Sequence, residues 1–331
     1  MNMLHLSVVP KVTILTPTYN RASLLRRSIN SVLAQSWSDW EYIIIDDGST
    51  DNTQEVLASY KDPRIRSVRF EQNRGIGTAR KTGVNEASGE WISFLDADDL
   101  WRPGKLTQDL AILERHPKID LLFDNFQNIN YVEGVRQSGF EQANNAIKML
   151  KTTQVEEDVF RIDSGFAKAL LSGNLIGTAS VMTVHRTLFE KIGNFNSALS
   201  GPEDFELLWR AALEGIGVAY HDKVLVERYK DVESITADRM YFNSHLLHAY
   251  DICEISLWRY GHDELIAPLN LARGRAWQGL LHASALEGQR LKAISAFGNS
   301  LRYGVSIQPF LYLAAALAGP RAIRFVKRMI S

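Results

Sequence analysis

The chain has 331 residues, 45% of them hydrophobic and 23% charged, which excludes a disordered, collagenous or coiled-coil protein. Lys+Arg number 37 and Asp+Glu 38, a net charge of -1 that argues against nucleic acid bound through bulk charge. One cysteine, Cys253, leaves no internal disulfide and no thiolate zinc cluster.

The length fits about two domains. The first ten residues, MNMLHLSVVP, lack the basic region and long apolar core of a secretory signal. The longest apolar stretch, Phe310 to Gly319, falls short of the ~20 residues that span a bilayer. A cytoplasmic protein is therefore expected. Charge is uneven: Tyr241 to Ser331 holds ten Lys/Arg and five Asp/Glu, and the residues before it are net acidic.

In chain order, Lys11 to Thr16 (KVTILT) predicts a strand ended by Pro17. Ser23 is positioned to cap a helix bearing Leu24, Leu25, Ile29, Val32 and Leu33. Glu41 to Ile45 (EYIII) predicts a strand buried on both faces, stopping at Asp46-Asp47-Gly48-Ser49. A helix over Asp51–Tyr60, a strand over Ile65–Phe70 and a helix over Ile76–Ala87 follow. Trp91 to Leu95 (WISFL) is a further buried strand, ending at Asp96-Ala97-Asp98-Asp99. This βαβαβ succession predicts a doubly wound, mainly parallel sheet with its polar turns on one rim.

Beyond that the pattern weakens. Asp120–Phe126 and Ala179–Val184 read as strands, Arg186–Ile192 as a helix and Glu203–Glu214 as an amphipathic helix. Asn130–Asp163 is polar, with no dense apolar core expected. From Tyr241 the chain reads as helices broken near Gly261, Gly288, Gly304 and Gly319-Pro320, and no repeat is evident.

Asp96 and Asp98, at i and i+2 beyond a strand, have the spacing to hold a hard divalent cation and through it a diphosphate. Three Asp in one turn repel one another unless a cation neutralises them. Asp46-Asp47 fits a plain turn or a hydrogen bond to a ribose or base equally well. Asn73-Arg74-Gly75-Ile76-Gly77-Thr78-Ala79-Arg80 is not a dinucleotide fingerprint, because Arg80 stands where glycine is needed. Arg80 suits a phosphate or an exposed helix face. Glu203-Asp204 opens a helix as dipole-favoured acids or as a general base.

Together PTYNR (Pro17–Arg21), DDGSTD (Asp46–Asp51), NRGIGTAR (Asn73–Arg80), GEWISFLDADD (Gly89–Asp99) and EDFELLWR (Glu203–Arg210) resemble the family 2, GT-A type inverting glycosyltransferases, over about residues 11–230. Gly177–Phe195 resembles the family's segment before the ED helix. The resemblance implies an α/β GT-A fold over 1–240, with a nucleotide-sugar half of about 1–126 and an acceptor half of about 127–240. A helical C-terminal extension over 241–331 would follow.

It further implies that Pro17, Thr18 and Tyr19 meet the nucleotide base, Tyr19 by stacking, and that Asp47 hydrogen-bonds it. Arg80 would lie near the diphosphate. Asp96, Ala97 and Asp98 would form the DXD turn, with Asp98 holding Mn2+ or Mg2+ and Asp96 contacting the ribose or the metal's water shell. Asp204 would be the catalytic base, with Glu203 its neighbour and substitute. The expected partners are a nucleotide-sugar donor, UDP-linked, and a glycan or lipid-linked acceptor in surface polysaccharide or lipopolysaccharide synthesis.

One departure stands out. Many relatives carry a histidine in the segment matching Tyr229–Thr236, and this chain has none there. His221, nearby, reads as a surface or loop histidine. Residues 321–331 form a basic amphipathic pattern, suited to peripheral contact at the inner membrane face or to packing on their own domain. The helical tail also suits homo-oligomer formation. Two other functions make different demands on the sequence. A non-catalytic sugar-nucleotide-binding or assembly protein would bind without turnover. A sugar-nucleotide pyrophosphorylase would need a Gly-rich, Lys/Arg-bearing loop after the first strand, which PTYNR is not.

Overall fold

In the computed structural model, which describes residues 9–130, 136–173, 175–230, 238–304 and 307–318, the first apolar run becomes β1 (Val12–Thr18), buried at every position. Pro17 does not end it, as the sequence predicts, but is the sixth residue of the strand. Alternate residues of a parallel strand bond to opposite neighbours. Thr18 O accepts from Asp47 N on one side and Leu15 O from Leu95 N on the other. Pro17 faces the second side, past the last paired residue there, so its missing N–H costs no ladder bond.

The succession continues with α1 (Ala22–Leu33), β2 (Trp40–Asp46), α2 (Thr53–Ser59), β3 (Ile65–Arg69), α3 (Ile76–Glu86) and β4 (Trp91–Phe94). Ser23 lies inside α1 rather than capping it. The amide of Ala22 is satisfied instead by Asp51 Oδ2 at 3.1 Å, from a loop 29 residues away. Then come β5 (Leu100–Trp101), α4 (Lys105–Arg115) and β6 (Leu121–Asn130).

Where little packing was expected, the structure has β7 (Arg136–Ser138), two single-turn helices α5 (Gly139–Gln142) and α6 (Asn144–Ile147), and the hairpin β8 (Lys151–Glu156) and β9 (Val159–Ser164). Phe140, Ala143, Ala146 and Val159 are buried there. Phe140 meets Phe123 and Tyr220 edge-on at 6.0 and 5.5 Å, so three separated aromatics make the core that short elements hide from periodicity.

The first compact unit, Met1–Lys230, is completed by α7 (Phe166–Ser172), β10 (Met182–His185), α8 (Thr187–Ile192), α9 (Glu203–Leu213) and β11 (Val218–Lys230). The strands form one sheet in the order β3-β2-β1-β4-β10-β6-β11-β9-β8, with β5 on β11 and β7 on β6. The four strands β3, β2, β1 and β4 are parallel. β10 then enters antiparallel to both of its neighbours, and β6 and β11 run parallel to each other. The result is a doubly wound, mixed sheet whose parallel half carries the acidic turns.

The second unit, Asp231–Ser331, is helical: α10 (Arg239–Tyr260), α11 (Ile266–Leu286), α12 (Arg290–Ser300) and α13 (Ile307–Ala318). Alanines 285, 293, 296 and 316 pack with Leu281, small side chains that let helix backbones approach closely. The basic pattern over 321–331 lies outside the described residues. No helix among the described residues is long and apolar enough to cross a membrane.

A charged group is sealed in the first unit's core. Lys105 Nζ lies 2.5 Å from Asp109 and 3.0 Å from Asp124, and none of the three side chains is more than 1% exposed. His221, expected at the surface, is 5% exposed and lies 3.3 Å from Asp124, because β11 carries it into the sheet. Burial opposes the Lys105 charge, but Asp109 and Asp124 outweigh it and hold the ammonium charged. Asp109, Asp124 and His221 stand within metal-ligand range of one another. Lys105 already supplies their cation, so this cluster is structural. Lys105→Met should leave two carboxylates buried without a counter-charge and lower stability by about 3–5 kcal/mol in urea unfolding.

Candidate active site

β2, β1 and β4 lie side by side and parallel, so the turns after them open on one rim. Two of these turns are clasped together. Asn20, a non-glycine residue at positive φ (51°), accepts from Thr50 N at 2.7 Å and Asp51 N at 3.3 Å. Its own amide donates to Ser49 Oγ at 2.9 Å. This clasp leaves Tyr19 projecting, 43% exposed. Thr18, at the strand end, is buried, and its Oγ1 has no hydrogen-bond partner in the fold. An orphaned buried hydroxyl beside an exposed aromatic ring is what a bound polar ring would satisfy.

Asp46 turns inward. Its Oδ1 accepts from Ser49 N at 2.9 Å, and its other oxygen takes Gln54 Nε2 and faces Arg69 at 3.6 Å. Asp47 is 3% exposed and accepts the amides of Arg74 and Gly75 at 2.6 and 2.9 Å. Burial nevertheless raises its pKa. Gly48 (φ 79°) approaches the 72–73 backbone so closely that a Cβ would sit 2.6 Å from Gln72 C. Gly77 plays the same part at the start of α3, where a Cβ would meet Leu199 O at 2.5 Å and Asn196 O at 2.8 Å. That close approach sets α3 against the segment leading into α9.

Arg80, one turn along α3, is thereby buried at 2% exposure. Its Nη2 lies 2.5 Å from Asp96 Oδ1, and its Nη1 bonds Glu203 Oε1. Glu203 is fully buried, and its other oxygen accepts from Gly201 N at 2.6 Å. Burial disfavours the guanidinium charge, but Asp96, Glu203 and Asp204 outweigh it and raise the Arg80 pKa. Burial pushes the Glu203 carboxyl up to about 7. Asp204 is partly exposed, and desolvation raises its carboxyl too, against the pull of Arg80.

The DADD turn divides its acids. Asp98 is partly exposed, Ala97 is buried, and Asp99 is buried at 2% exposure. Asp99 accepts from Thr178 Oγ1 (2.8 Å), Ser180 Oγ (2.6 Å) and Tyr229 N (3.2 Å). Burial, then repulsion from Asp98 and Asp96, raises its pKa well above the usual carboxylate range. Thr178 Oγ1 also lies 3.0 Å from Asp96 Oδ2, and Ser180 Oγ accepts from Asp96 N at 2.9 Å. Two hydroxyls thus tie both ends of the turn. Thr178 and Ser180 carry no role in the sequence reading, although both lie in the Gly177–Phe195 segment. Hydroxyls two residues apart were the signal.

Repulsion among the three Asp is therefore relieved partly by Arg80 and partly by the raised pKa of Asp99, which favours its neutral form. Five carboxylates (Asp96, Asp98, Asp99, Glu203, Asp204) still face two guanidiniums, Arg80 and Arg228. An all-oxygen donor set with surplus negative charge fits a hard divalent cation. Asp96 has both oxygens engaged by the protein, and Asp98 is partly exposed at the rim.

Residues 13–173 match the family model described as glycosyl transferase family 2. The chain is 36% identical over 119 residues to the UDP-Glc:alpha-D-GlcNAc-diphosphoundecaprenol beta-1,3-glucosyltransferase WfgD of Escherichia coli, across 36% of this chain and 47% of that protein. It is 42% identical over 106 residues to the succinoglycan biosynthesis protein ExoO of Rhizobium meliloti, across 32% of this chain and 30% of that one. The chain thus spans less than half the length of either relative. Among solved structures it is similar to S. aureus TarS 1-349 in complex with UDP-GlcNAc, with TM-score 0.62, 19% identity, and coverage of 96% of this chain and 90% of that one. It is also similar to the mannosyltransferase PcManGT from Pyrobaculum calidifontis in complex with GDP-Man and Mn2+, with TM-score 0.58, 18% identity, and coverage of 95% and 88%. At these identities the likeness establishes the GT-A fold.

The Thr178 bridge has a measurable worth. Thr178→Val should cost about 1–3 kcal/mol by leaving buried carboxylate oxygens short of a donor, and Thr178→Ser should restore most of it in thermal unfolding.

Proposed function

Because residues 13–173 match the family model of the family 2 glycosyl transferases, we propose that the chain transfers a sugar from a nucleoside-diphosphate sugar, UDP-linked, to an acceptor hydroxyl, inverting the anomeric centre. The carrying observation is the buried Arg80, which holds Asp96 of the DADD turn and Glu203 of the α9 start at one place on the rim. That joint draws together the turn bearing the partly exposed Asp98 and the helix start bearing the partly exposed Asp204.

In this reading Tyr19 stacks on the base beside Pro17, and the unpartnered Thr18 hydroxyl and Asp47 hydrogen-bond the nucleoside. Ala97, lacking a long side chain, leaves room between the two acids of the DXD turn. Asp98, helped by Asp96, would hold Mn2+ or Mg2+, and the ion would supply positive charge that favours departure of the diphosphate. Arg80 adds fixed positive charge below. Arg228, near both Asp99 and Asp204, takes the cationic place that the absent histidine fills in relatives.

The chemistry is one displacement. Asp204 accepts the proton of the acceptor hydroxyl as its oxygen bonds to the anomeric carbon. On the opposite face the bond to the diphosphate breaks, and the nucleoside diphosphate leaves with that electron pair. Glu203 is spent on Arg80 and the Gly201 amide, which supports Asp204 as the base. The UDP donor is supported by the UDP-GlcNAc-bound neighbour and by the name of the E. coli relative. A role in bacterial glycan assembly is supported by the names of both relatives, and a lipid-linked acceptor by the diphosphoundecaprenol substrate in the name of the E. coli one.

Asp204→Asn should abolish transfer by at least about a hundredfold and leave donor binding intact in a thermal-shift titration with UDP-sugar and Mn2+. Near-normal transfer would remove the base assignment, and binding without turnover in the unsubstituted protein would favour a non-catalytic sugar-nucleotide carrier. The base must be ionised, and burial raises its pKa, so activity should fall with decreasing pH through a value above the ordinary aspartate 3.8. A pH–rate profile checks it. Asp98→Asn should remove the Mn2+-dependent part of the thermal shift.

A further inference from the structure

The helical unit carries an outward face that its own core does not use. On α12, Ala293, Ala296 and Ser300 are buried. On the other side Leu291 is 84% exposed and Ile294 46%, and Leu301, in the turn that follows, is 37% exposed. A Cβ on Gly298, on the same side, would meet nothing within 4 Å. Arg290, Lys292 and Arg302 are exposed around these apolar side chains. Phe297 meets Phe310 of α13 edge-on at 4.9 Å, and Phe310, 49% exposed, continues the apolar surface onto that helix.

Sequence supplies the second observation. Glu287 is the last acidic residue of the chain, and the 44 residues that follow hold seven Lys/Arg and no Asp or Glu. We propose that this face of α12, with the adjoining start of α13, docks on an anionic lipid bilayer surface. Isolated apolar side chains ringed by cations suit headgroups and the acyl boundary beneath them. A second copy of the chain is disfavoured by charge, because a two-fold contact would set Arg290 and Lys292 of one copy against the cations of the other. The assignment does not depend on the glycosyl-transfer reading.

The test is co-sedimentation of the full chain with phosphatidylglycerol-containing vesicles and with neutral phosphatidylcholine vesicles. Binding is expected to the anionic vesicles only and to weaken with salt. Leu291→Ser/Ile294→Ser and Arg290→Glu/Lys292→Glu should each weaken it by roughly tenfold or more, with unchanged thermal unfolding because all four side chains are exposed. Equal binding to neutral vesicles would overturn the proposal. Unchanged binding by both variants would overturn it too, moving the contact to residues such as 321–331. A dimer in light scattering that Leu291→Ser/Ile294→Ser dissociates would show instead that copies of the chain cover this face.

Discussion

The site depends on one buried guanidinium. Arg80 joins the turn after β4 to the start of α9, two segments more than a hundred residues apart, and each contributes a carboxylate that burial would otherwise penalise. A lone buried acid favours its neutral form. With Arg80 in place the Asp96 and Glu203 carboxylates have a charged partner, and their neighbours Asp98 and Asp204 are held partly open to solvent. The placement of Asp98 and Asp204 is therefore fixed by ion pairs that their neighbours Asp96 and Glu203 make with Arg80.

The same physics is used twice with different outcomes. Lys105 among Asp109, Asp124 and His221 is a closed cluster, in which the cation comes from the chain and solvent is excluded. The rim cluster is open, and its carboxylates exceed the guanidiniums facing them. Residue types alone cannot separate the two, since each sets several acids beside a basic side chain. Access and residual charge make the distinction.

Backbone contacts set the remaining precision. Asn20 accepts a positive φ to bridge two loops, and Asp51 satisfies the first amide of α1 from outside the helix. Gly48 and Gly77 permit backbone approaches that any side chain would block. These are the positions at which the GT-A sheet becomes a shaped site. The fold alone does not confer the chemistry, since one architecture hosts many sites.

The sequence by itself determined the parallel strands, because β1, β2 and β4 are buried on both faces and so are written as apolar runs. It also determined that PTYN, DDGS and DADD follow strands, hence that they share a rim. Only the tertiary structure decided which acids face outward. Asp98 and Asp99 are adjacent and identical in type, yet Thr178, Ser180 and the Tyr229 amide draw one inward, and those partners are 79 or more residues distant. It likewise decided that His221 is buried, that Pro17 continues its strand, and that 136–164 packs a core from aromatics of separate short elements. Hydrophobic period reports which face of one element is covered. The partner that covers it, or neutralises a charge on it, comes from elsewhere in the chain and is settled only when the sheet brings the two together.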